Sequence, residues 1–148
     1  MNTIYEAIIE RLESEVPELA YIGVDDGTLD MQGKVPPMDM PCAMIGLSLP
    51  SCEDISEREQ NCQLVVAIRI AWNSWADEMT SRTPKEWREK SLRQMALPDK
   101  VYRALQGWGT EEFDDLSRTR MMPERRGDGI SVIRVEFMTG YRDDADEG

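Results

Sequence analysis

The side chains that could do chemistry are few, and their spacing does not bring them together. Adjacent carboxylates occur at Asp25–Asp26, Asp114–Asp115 and Asp143–Asp144, and two carboxylates can share acid and base roles. Neighbours in an extended segment point to opposite faces, so none of these pairs is a dyad by itself. Turn, strand edge and tail are the plainer readings. Cys42, Cys52 and Cys62 form no CxxC pair, and they are read as reduced thiols. The chain has no histidine, so it lacks the commonest zinc ligand and the commonest general base. A serine, threonine or cysteine nucleophile would need such a base, and neither a GxSxG elbow nor a phosphate-binding loop is present. No catalytic residue, cofactor or metal is therefore expected, and the chain is read as a non-enzyme.

What remains is contact chemistry. Glu53, Asp54, Glu57 and Glu59 make an acidic cluster. Basic groups are gathered at Lys85, Arg88, Lys90 and Arg93, and again at Arg118, Arg120, Arg125 and Arg126. Either set can be an ordinary solvated face, or the two can meet between neighbouring copies. Trp75 and Trp87 lie beside polar sequence, and tryptophan is enriched where proteins touch. The candidate subunit contacts are thus Glu53, Asp54, Glu57, Glu59, Trp75, Trp87, Arg118, Arg120, Arg125 and Arg126. Arg126-Gly127-Asp128 spells an adhesion tripeptide, but its setting reads as a hairpin turn. The net charge of −12 disfavours binding to nucleic acid or to an anionic membrane. No run approaches the ~20 apolar residues of a membrane span, and the amphipathic, acidic start does not read as a signal peptide.

These residues need a frame, and 148 residues with 41% apolar side chains suffice for one domain with its own core. Its centre is Asn61–Trp72, NCQLVVAIRIAW. With period two, Cys62, Leu64, Val66, Ile68, Ile70 and Trp72 share one face, which predicts a central strand. Before it, Thr3–Glu6 reads as a capping box, opening a helix in which Ile4, Tyr5, Ile8, Ile9, Leu12 and Val16 recur at helical spacing. Leu19–Val24 and Cys42–Leu49 read as strands, and Pro50–Gln60 as a long polar loop between strands. Thr83–Glu86 reads as a second capping box, with its helix running to about Met95. Pro98 then breaks that helix or starts another, and an apolar stripe follows through Val101, Leu105 and Trp108. Phe113–Met122 and Ile130–Tyr141 read as a closing pair of strands around the Asp128-Gly129 turn. The expected fold is α+β, an antiparallel sheet flanked by an N-terminal helix and a second helix, in the order α-β-β-β-α-β-β. Residues 1–142 form the domain in this reading, and residues 143–148 an acidic tail.

That order of elements resembles the small tail-completion, or tail-terminator, proteins of long-tailed bacteriophages and prophages. The resemblance rests on the helix Ile4–Val16, the Gly/Pro/Asp-rich Gly23–Pro41 and the strand PCAMIGLSL. It continues through the polar loop, the strand QNCQLVVAIRIAW, the helix DKVYRALQGW and the pair FDDLSRTRMMPERRGDGISVIRVEFMTGY. It covers nearly the whole chain as a pattern, without an invariant motif. The helix Pro84–Met95 departs from it by its length. The family implies a head-to-tail ring, usually a hexamer, between the tail-tube protein and the head-connector protein. It implies assembly in the bacterial host cytoplasm and a final place in the virion tail or neck. It implies no cofactor and no small-molecule substrate, and DNA that passes through without being read. The alternative from the same features is another virion component or a non-catalytic protein–protein adaptor.

Overall fold

The computed structural model describes residues 1–31, 36–74 and 79–146. In chain order they form α1 (Asn2–Glu15), β1 (Tyr21–Val24), a 3-10 turn (Thr28–Asp30), β2 (Cys42–Asp54) and β3 (Glu59–Asn73). There follow α2 (Lys85–Met95), α3 (Leu97–Leu105), β4 (Ser117–Glu124) and β5 (Ile130–Asp144). The five strands make one sheet in the order β1-β2-β3-β5-β4. The fold is α+β.

The central strand is β3, paired antiparallel with β2 on one side and with β5 on the other. Its Leu64, Val66, Ile68 and Ile70 are fully buried on one face, between Ala43 and Ile45 of β2 and Val135 and Phe137 of β5. Two helices cover that face. α1 lays down Ile4, Ile8 and Leu12, each one turn from the next, and Val16 beyond its end completes the stripe. α3 adds Leu97, Val101, Ala104 and Leu105. Pro98 sits in its first turn, where a missing N–H breaks no helical bond. The opposite face carries a smaller cluster at one end, Leu29 with Cys42, Met44, Ala71, Ile130 and Val132. α2 is different, burying only Ser91 and leaving Trp87 59% exposed.

Four expectations need correction. The sheet is mixed, because β1 runs parallel to β2, pairing Tyr21 with Cys42 and Val24 with Ile45. Residues 25–41 are long enough to carry the chain back to the start of the same edge, as a parallel pair requires. The single second helix is two, α2 and α3, joined at Ala96. The polar loop Pro50–Gln60 is mostly strand. β2 and β3 stay paired out to Asp54 and Gln60, with an irregularity between Ser48 and Ser51, and only residues 55–58 make the turn. A ladder needs backbone partners and not apolar side chains, so the acidic composition hid it. Finally, β5 continues through Asp143 and Asp144, opposite Gln60 and Glu59, into the segment read as a tail.

The expected capping boxes are also replaced. α1 opens at Asn2 without a side-chain cap, and Thr3 Oγ1 instead donates to Glu112 at 2.5 Å. Thr83 Oγ1 shares a hydrogen bond with Thr80 Oγ1 at 2.9 Å.

Candidate functional site

The most organised polar group lies on the sheet face away from α1 and α3. Arg69 of β3 is 5% exposed there. Its Nη1 and Nη2 donate to the two oxygens of Asp30 at 2.7 Å each. Its Nε and Nη2 donate to Glu124 at 2.9 and 2.7 Å, and Asp25 lies 3.5 Å away. One planar guanidinium thus grips two carboxylates by twin bonds. It ties the 3-10 turn and the end of β4 to the sheet centre. Asp30 also accepts from Arg126 Nη1 at 2.9 Å. The Arg69 bonds hold its carboxyl below the usual range, with Arg126 adding to the effect. The guanidinium of Arg69 is pushed upward in turn by Asp30 and Glu124. Asp30 and Glu124 are both held by cations, so the cluster is an electrostatic clasp.

A second ion-pair group lies nearer the open edge. Glu136 of β5 accepts from Arg120 at 2.5 Å and from Arg134 at 2.9 Å, and these bonds lower its carboxyl. Across the end of the sheet, the 55–58 turn is fastened to residues 145 and 146, just past β5. Arg58 Nε donates to Asp146 at 2.6 Å, and the Ala145 N–H donates to the Arg58 carbonyl at 2.8 Å.

The residues singled out by sequence fall on three surfaces. Glu53, Asp54, Glu57 and Glu59 lie on the β2–β3 hairpin end. Glu53 and Glu57 are exposed, Asp54 accepts from Gln60 at 3.0 Å, and Glu59 pairs with Arg142. Arg118 and Arg120 lie on β4, the outer strand, with Arg125 just past it. The guanidinium of Arg118 stacks 3.9 Å over the ring of Tyr102, and Arg125 is exposed. Arg126 turns inward, donating to the Leu29 carbonyl and to Asp128 at 2.6 Å each. Trp87 stands out from α2. Trp75 lies outside the described residues.

The carboxylate pairs separate. Asp25 faces Arg69, whereas Asp26 accepts from Thr28 N and Oγ1 at 3.1 and 2.6 Å. An open hollow of about 470 Å³ is lined in part by Trp72, Pro123, Arg126 and Ile133. Among the described residues, no group of three or more Cys, Asp or Glu side chains is placed to hold a metal ion, and no helix is long and apolar enough to cross a membrane.

Sequence reasoning left Arg69 unremarked on the polar side of its strand. The available signal was a lone arginine inside VVAIRIAW. A charge in so apolar a run is buried only with partners, and the candidates were acidic residues in the flanking turns. Comparison with protein-family models and with curated proteins gave no match.

Proposed function

We propose that this chain is a structural assembly protein of bacteriophage tails, a ring-forming terminator or neck component joining the tail tube to the head connector. The observation that carries the reading is the separation of two unlike, outward-facing surfaces on one rigid sheet. The β2–β3 hairpin end presents Glu53 and Glu57, with Ile55 48% exposed at its tip. The opposite outer strand, β4, is exposed from Ser117 to Pro123 and carries Arg118, stacked on Tyr102, and Arg120, which also pairs with Glu136 within the subunit. A head-to-tail ring needs two different, complementary patches on each subunit, and the acidic end and the basic edge have opposite sign. The resemblance in element order supports the same reading, and the −12 charge suits a channel from which DNA must slide freely.

The test is sedimentation of the purified chain over a range of concentrations, alone and with isolated tail tubes. A closed ring, or protein retained on the tube end, supports the proposal. Arg118→Glu and Arg120→Glu should weaken assembly, and Glu53→Arg with Glu57→Arg in the same chain should restore part of it. A monomer at every concentration that leaves tubes unbound would overturn it.

The second reading, a non-catalytic adaptor for a different protein, is favoured by α2. That helix exposes Trp87 by 59%, Leu92 by 51% and Met95 by 49%, apolar side chains that a partner could cover. Under this reading the chain stays monomeric at every concentration, and Trp87→Ala abolishes capture of the partner.

A further inference from the structure

Two of the three thiols are placed to react with each other. Cys52 on β2 and Cys62 on β3 are direct partners in the antiparallel register, so their side chains share one face. Directly opposed residues in such a ladder have Cα atoms roughly 4.5–5.5 Å apart, inside the window of about 4.4–6.8 Å that a disulfide spans. Both thiols are free. They differ in access, with Cys52 exposed and Cys62 only 5% exposed, lining the same hollow as Phe113 and Tyr141. Cys42 begins the same strand but stands opposite Ala71 in the smaller cluster, away from either.

We propose that Cys52 and Cys62 form a redox site that accepts low-molecular-weight disulfides such as oxidised glutathione and closes to a cross-strand disulfide. The exposed Cys52 attacks first, as a thiolate, on one sulfur of the small disulfide. That S–S bond breaks, and one small thiolate leaves and takes up a proton. Cys62 then gives its proton to solvent and attacks Cys52 Sγ, expelling the second small thiol. Two protein thiols are oxidised and one small disulfide is reduced to two thiols. Burial, together with the neighbouring Cys52 thiol, pushes the Cys62 thiol up to about 11, which makes it the poorer first nucleophile. The ladder compensates in the second step by holding Cys62 against its target. The bond would fasten the hairpin between the irregularity after Ser48 and the 55–58 turn. This inference is independent of the assembly reading.

The test uses the full chain, reduced, then incubated with oxidised glutathione, quenched in acid and alkylated under denaturing conditions. The expected product has lost two hydrogens, takes one alkyl group where the reduced chain takes three, and yields one peptide linking Cys52 to Cys62. Cys62→Ser should stop at a mixed disulfide on Cys52. Cys52→Ser changes an exposed position and so leaves the core untouched; while folded it should take up no glutathione. Glutathione lodged on Cys52 with Cys62 still open to alkylation after long incubation would overturn the proposal. So would a main product of chains linked through Cys52 to Cys52.

Discussion

Replacing Arg69 by methionine tests how much of the fold hangs on the clasp. Methionine keeps most of the apolar stem but removes four hydrogen bonds of 2.7–2.9 Å to Asp30 and Glu124. Breaking a fully buried ion pair costs about 3–5 kcal/mol, largely because the orphaned charge stays buried. Here the carboxylate side chains are 50% exposed at Asp30 and 29% at Glu124, so they recover part of their hydration. The net loss should be about 2–3 kcal/mol, below the buried-pair range. With a urea slope of about 1–3 kcal/mol/M, the unfolding midpoint should fall by roughly 0.7–3 M at unchanged slope. Arg69→Lys should recover little, since a single ammonium cannot grip two carboxylates side by side. The pH response gives an independent check. Asp30 has its folded pKa lowered, chiefly by Arg69. Its contribution is therefore present above the unfolded value near 3.9 and lost as pH falls through the folded one. In Arg69→Met that acid-side loss should shrink. A midpoint within about 0.3 M of the parent, with an unchanged acid limb, would refute the reasoning.

Three further substitutions follow from local geometry. A Cβ at Gly109 would lie 2.9 Å from the backbone carbon of Asp114, whereas one at Gly140 would meet only the carboxylate end of Asp114 at 2.7 Å. Gly109→Ala should therefore destabilise by about 1–3 kcal/mol and Gly140→Ala by clearly less, and equal thermal midpoints would contradict this. Thr139 Oγ1 is buried without a hydrogen-bond partner. Thr139→Val should be neutral or stabilising by up to about 1 kcal/mol, and a lowered denaturant midpoint would show that its hydroxyl has a partner.

The parts of the fold that were legible are those whose periodicity is enforced by a core. Asn61–Trp72 alternates because one face meets two helices. Ile4, Ile8 and Leu12 recur because one side of α1 meets the sheet. The parts that escaped are held by backbone pairing or by charges distant in sequence. Residues 50–54 are strand despite a proline and two acids, because their partners across the ladder satisfy them. The parallel setting of β1 depends on where residues 25–41 return, which no local pattern encodes. Arg126 was read as an outward contact, but its Asp30 partner lies 96 residues earlier in the chain. Composition could mark the acidic and basic groups; only the fold assigns which of them are already occupied.

The sheet order also dictates when the protein can fold during synthesis. β2 and β3 meet across a short turn, as do β4 and β5, but the central seam joins β3 to β5, matching Asn73 with Ile130 and Glu59 with Asp144. The partner that seals the middle of the sheet is therefore the last of its five strands to be made. Until then one edge of β3, with Leu64, Val66, Ile68 and Ile70 beside it, has no neighbour. A nascent chain in that state exposes an apolar strand with an open edge. Emergence of β5, and not emergence of the first hairpin, is the event that closes the core.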